Sequence, residues 1–129
     1  MQIFQKEITV AKTDLDQLNH VNNVRYVQWV QDIAEAHWLK NASQQILDSY
    51  YWVLVKHTID YKGQAFLGDA ILIKTYVESS EGVSSIRKVE MHNQSSNKLI
   101  IASVTKWCLI EKKTNRPSRI SSEIAEMFN

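Results

Sequence analysis

At 129 residues, with 44% apolar and 22% charged side chains, the chain has the size of one domain and can bury about two-thirds of the surface that its unfolded form exposes. A net charge of +1, with the 15 basic residues spread along the sequence, offers no concentrated field to hold nucleic-acid phosphates. The single cysteine, Cys108, excludes an intramolecular disulfide. Residues 1–10 lack the apolar centre of a secretory signal and no apolar run reaches spanning length, so a cytoplasmic protein away from membranes is expected.

In chain order, Ile3 to Val10 reads as a short strand. The segment from about Asn23 to Lys40 changes period. At 100° per residue, Tyr26, Val27, Val30, Ile33, Ala34, His37 and Trp38 share one arc, while Arg25, Gln28, Asp32 and Glu35 occupy another, which predicts an amphipathic helix. Gln44 to Tyr51 reads as an irregular or briefly helical connection. Trp52 to Tyr61 predicts a long strand with Val53, Val55, His57, Ile59 and Tyr61 on one face.

Turn-forming residues are sparse in the second half of the chain. Gly68-Asp69, Glu81-Gly82 and Ser95-Ser96-Asn97 bracket three alternating runs, Ala70 to Glu78, Val83 to Asn93 and Lys98 to Glu111, which predicts an antiparallel meander. One side of the second run carries Val83, Ser85, Arg87, Val89 and Met91. Ile120 to Asn129 predicts a short terminal helix capped by Ser121 or Ser122. An eighteen-residue helix measures about 27 Å and a nine- or ten-residue strand about 30 Å, so one helix can lie along one sheet. The expected fold is α+β, a five-stranded antiparallel sheet wrapped around one long helix, the hotdog arrangement, as a single domain over residues 1–129. The uncovered edges of such a sheet favour a homodimer or a pair of dimers.

The chemistry-bearing residues crowd into Thr13-Asp14-Leu15-Asp16-Gln17-Leu18-Asn19-His20-Val21-Asn22-Asn23, the entry to the helix. One reading is structural, with the aspartates and asparagines forming side-chain turns and Asn22 or Asn23 capping the helix. The other is functional, because unpaired N–H groups at a helix start can polarise a carbonyl beside a carboxylate. Thioester hydrolysis suits so small a site, since the leaving thiol has a pKa of only about 8.5.

Asp14-Leu15-Asp16 followed by His20-Val21-Asn22-Asn23-Val24-Arg25-Tyr26-Val27-Gln28-Trp29 resembles the motif of hotdog acyl thioesterases, of both the 4-hydroxybenzoyl-CoA and the acyl-acyl-carrier-protein type. Weaker likeness continues through Ile59-Asp60-Tyr61 and Leu67-Gly68-Asp69. The resemblance implies hydrolysis of an acyl thioester of coenzyme A or acyl carrier protein, with no cofactor and no metal. It implies Asp16 as nucleophile or general base, the Asn23 N–H polarising the carbonyl, His20 as a third participant, and Asn22, Tyr26 and Gln64 on the substrate. In the acyl-carrier-protein type an asparagine stands where this chain has Leu18 and a glutamate near its Gln64, so the one-aspartate scheme fits this chain better.

His37, His57 and His92 form no short metal-ligand spacing with one another or with Cys108. Cys108 reads as a buried structural thiol, Trp29 and Trp38 as core or as the lining of an acyl tunnel, and Lys112, Lys113, Arg116 and Arg119 as a solvated face. The scattered glycines give no nucleotide-binding loop and no serine-hydrolase elbow is present. Two rivals remain, an acyl-thioester binding module without chemistry and a hotdog hydratase or dehydratase.

Overall fold

A computed structural model describes all residues, Met1 to Asn129. The elements are β1 (Phe4–Thr9), a 3-10 turn (Lys12–Asp14), α1 (Asn23–Asn41), α2 (Gln44–Ser49), β2 (Tyr50–Tyr61), β3 (Ala70–Glu81), β4 (Ser84–Asn93), β5 (Leu99–Glu111), β6 (Arg116–Pro117) and α3 (Ser122–Glu126). The strands form one antiparallel sheet in the order β1-β3-β4-β5-β2, with β6 on the end of β5. The expected hotdog architecture is present, and the connection after α1 is helical.

Helix α1 begins where Asn22 turns its side chain onto the Val24 N–H at 3.0 Å, and buries Tyr26, Val30, Ile33, Ala34, His37 and Trp38, nearly the arc read from its period. Its N-terminal half and the inward residues of the sheet form a core that includes Val30, Ile71, Ile73, Val89, Met91 and Ile101. Each such side chain contributes roughly 1.5–3 kcal/mol on burial. A second core gathers Trp38, Ile46, Leu109, Ile124 and Phe128 at the other end of the helix. Between the two lies a polar band of buried residues, His37, Thr75, Arg87 and Thr105.

Two of the three turn signals join paired strands, whereas Gly68-Asp69 leads into β3, which pairs with β1 and β4 and forms no hairpin with β2. Gly82 joins β3 to β4 at φ 62° and Asn97 joins β4 to β5 at φ 59°, left-handed positions that glycine and asparagine adopt most readily. The strand β2 departs from expectation. Leu54 pairs with Trp107 and Lys56 with Lys106, so Val55 has no opposite number. This bulge reverses the facing of the residues before it. Trp52 packs on the second core and Ile59 on the first, whereas Val53 and Val55 are 42% and 58% exposed. The expected single face from Val53 to Tyr61 is therefore split in two. β6 is a further strand outside the expected set. It returns along β5 through a turn in which the Asn115 N–H donates to Glu111 O at 2.8 Å.

Cys108 is half-buried rather than buried, with Sγ 3.7 Å from Leu109 O. No helix is long and apolar enough to cross a membrane.

Candidate active site

The loop before α1 folds as a miniature antiparallel ladder. Asn22 N–H donates to Asp14 O at 2.9 Å, Leu15 bridges Val21, and Asp16 N–H donates to His20 O at 2.8 Å. The ladder turns through Asn19, whose N–H reaches Asp16 O at 3.1 Å and whose φ of 64° is left-handed, a conformation asparagine tolerates.

Two aspartates in this ladder have different tasks. Asp14 takes the Ala11 N–H on Oδ2 at 2.8 Å and pairs with Arg25 through Oδ1 at 3.0 Å, so both oxygens are spent on structure. Asp16 takes the Leu18 and His20 N–H groups at 2.8 and 3.2 Å, both on Oδ1. Its Oδ2 accepts no hydrogen bond from the protein, and the side chain is half-buried. One oxygen is thus clamped and the other is open.

The expected site residues gather around this loop with unequal parts. At the helix start, Asn22 takes the Val24 N–H on its side chain and the Arg25 N–H on its carbonyl at 2.8 Å. The Asn23 N–H has no intrahelical acceptor, as the first amide of any helix must, and no other acceptor meets it. Asn22 acts as the cap, which leaves its own amide N–H groups free. His20 touches Asp16 through backbone only. Its ring stands edge-on to Phe66 at 5.6 Å, so no imidazole–carboxylate pair forms in this state.

A neighbouring segment closes over the ladder. His20 bridges Phe66, and the Val21 N–H donates to Ala65 O at 3.0 Å; continuing that register places Gln64 opposite Asn22. Gln64 is exposed and its side chain is unengaged. Tyr26, expected at the substrate, is 2% exposed, and its hydroxyl accepts the Ala65 N–H at 3.1 Å. Burial raises the Tyr26 phenol above its ordinary pKa of 10.0, so it stays protonated. Tyr26 therefore fixes the segment that carries Gln64. Replacing it by phenylalanine leaves a fully buried N–H without a partner, and the Tyr26→Phe variant should lose about 1–3 kcal/mol in urea unfolding. A loss under about 0.5 kcal/mol would show that Ala65 finds another acceptor.

Apolar side chains surround this end of the protein without cover. Val24 is 72% exposed and Leu18 66%, and Phe66, Leu67 and Tyr61 join them. Such a patch marks a surface meant for a ligand or a second subunit. No group of three or more histidine, cysteine, aspartate or glutamate side chains converges to hold a metal.

Residues 1–128 match the family described as the acyl-ACP thioesterase N-terminal domain. The chain belongs to the acyl-ACP thioesterase family. It has the hotdog fold and is a thioester hydrolase. It is 26% identical to the long-chain acyl-CoA thioesterase FadM of Escherichia coli K12, over 95% of this chain and 94% of that one. The crystal structure of YbaW, a probable thioesterase from Escherichia coli, superposes with a TM-score of 0.83 at 26% identity, covering 95% and 94% of the two chains. SAV2348 from Staphylococcus aureus, solved in complex with CoA, superposes at 0.85 with 15% identity, over 98% of this chain and 81% of that one, a likeness of fold.

Within this thioesterase, a cavity of about 550 Å³ lies away from Asp16, along the C-terminal half of α1, and Trp38 lines it with Trp52, Trp107 and Arg87. Trp29 instead packs beside the first core. Arg87 is absent from the residues that the sequence singles out for chemistry, although a charged residue at an inward position of β4 was the available signal.

Proposed function

We propose that the protein hydrolyses acyl thioesters of coenzyme A or acyl carrier protein, with Asp16 and the Asn23 N–H acting on opposite sides of one thioester carbonyl. The reading rests on the division of labour at Asp16, where Oδ1 is clamped by two amides while Oδ2 is left open. Oδ2 is available either to attack the carbonyl carbon or to take a proton from an attacking water. Charge that develops on the carbonyl oxygen is met by the unpaired helix-start amide, and a donor of this kind typically contributes roughly 10²- to 10³-fold in rate. The thiolate leaves unaided. Asn22 and Gln64 offer free amide groups to the substrate, and His20 needs a ring rotation to reach Asp16. Likeness to FadM supports coenzyme A as the carrier, and family membership favours hydrolysis over hydration or binding alone.

The test is direct. Purified protein given acyl-CoA esters of several chain lengths should release free thiol, and the same panel on acyl carrier protein should be turned over more slowly. Absence of thiol release from every ester would remove the proposal.

The same reading includes a homodimer in the cytoplasm, with the site at the mouth of the subunit interface. β2 pairs only with β5 and leaves its other edge open along 12 residues, an arrangement that proteins seldom leave unpaired. Val55, exposed at the bulge, is a residue whose replacement the monomer tolerates. The Val55→Glu variant sets like charges against each other across a symmetric edge, and should shift sedimentation velocity from dimer to monomer. An unchanged sedimentation coefficient would place the interface elsewhere.

A further inference from the structure

Arg87 is 5% exposed, yet its guanidinium has no carboxylate partner, since the only ion pairs are Arg25–Asp14 and Lys88–Glu78. Nη1 donates to His37 Nδ1 at 2.9 Å and to Thr75 Oγ1 at 3.1 Å, and the group lies 5.3 Å from the centre of the Phe128 ring. Both hydrogen-bond acceptors are neutral. His37 has its pKa lowered to about 4, chiefly by burial and then by Arg87 itself, so its ring is neutral near pH 7 and Nδ1 accepts without offsetting the arginine charge. A buried cation without an anion carries a large desolvation cost that neutral acceptors and one aromatic face only partly offset.

The remaining donors are not sealed in. Nε and Nη2 meet no protein acceptor, and the only fully buried side-chain polar atom without a partner is His92 Nδ1. These Arg87 nitrogens therefore keep some access to solvent, and Arg87 is among the residues that line the cavity. Its floor is Arg87, Ser85, Ala34 and Phe128, all buried, and its walls include Trp38, Trp52 and Trp107. Glu35, Asp48 and Lys112 stand at the mouth.

We propose that this cavity binds a free organic monocarboxylate with an apolar body, its head group forked on Arg87 Nε and Nη2 and its tail against the tryptophans. A guanidinium presents two parallel donors that match a carboxylate, and a volume of about 550 Å³ suits a ligand of that size. The two acidic side chains at the mouth disfavour a multiply charged phosphate. Trp38 lies fifteen residues beyond Asn23, about 22 Å along the helix, so the site is separate from the hydrolytic end. A free fatty acid is the class of molecule that thioester hydrolysis releases, but the binding site stands whether or not Asp16 hydrolyses anything.

Equilibrium titration read by tryptophan fluorescence tests the proposal without turnover. Decanoate should bind the wild-type protein at least about ten-fold more tightly than decan-1-ol, the chain being equal. In Arg87→Met the ratio should fall to about one with the alcohol unaffected. Equal affinities in the wild type, or a preference that persists in Arg87→Met, would overturn it. Should Arg87→Met fail to fold by circular dichroism, Ser85→Leu decides, because bulk on the cavity floor must weaken decanoate; unchanged affinity there overturns the proposal.

Discussion

Asp16→Asn should lower kcat/KM for acyl-CoA hydrolysis on the order of 10³-fold while stability changes by less than about 1 kcal/mol. The loop survives the change because an amide oxygen still accepts the Leu18 and His20 N–H groups that now bind Oδ1. The open oxygen is what disappears. An NH2 in its place neither attacks a carbonyl nor takes a proton from water, and a 10³-fold loss corresponds to about 4 kcal/mol of transition-state stabilisation. Coupled measurement of thiol release and urea unfolding separates the two effects. Activity within ten-fold of wild type would remove Asp16 from the reaction. Loss of activity together with folding would show only that the clamp needs a carboxylate.

The second large effect concerns acid. His37 is fully buried between Gln2 and Arg87, with Nε2 2.7 Å from Gln2 Oε1 and Nδ1 facing the arginine. Burial, then Arg87 and Lys40, lower its pKa from 6.5 to about 4. The unfolded chain therefore takes up a proton near pH 6.5 that the folded protein refuses until about pH 4. Stability from this residue is complete above about pH 6.5 and is lost as the pH falls through that window, by up to about 3 kcal/mol. Urea unfolding at pH 7 and pH 4.5 should show the loss in the wild type and a flatter dependence in His37→Gln. All other side chains are common to both proteins, and their effects cancel in the difference. Parallel dependences would mean that His37 is protonated without penalty in the fold.

The architecture was legible wherever one period ran uninterrupted. The helical arc from Tyr26 to Trp38 and the meander between Gly68 and Glu111 are local patterns, and local patterns survive folding. The bulge at Val55 was hidden because the apolar alternation Val53, Val55, His57 passes straight through it; only pairing with β5 shows that one residue is extra. β6 was too short to carry any period. At the site, the resemblance singled out Asp16, but residue type alone does not separate it from Asp14. The hydrogen bonds separate them, since Asp14 is consumed by Ala11 and Arg25 and Asp16 keeps one oxygen open. Arg87 was visible as a charge on an inward face, but its lack of an anion depends on His37, Thr75 and Phe128, which lie far apart in sequence and meet only in the folded protein.

The amide resonance of Asn23 gives the most direct view of the proposed chemistry. On titration with a ketone analogue of an acyl-CoA, in which a methylene replaces the thioester sulfur, the Asn23 N–H should move downfield by more than those of Val24 and Arg25, which are already bonded to Asn22. An Asn23 signal that stays still while the analogue binds would contradict the account.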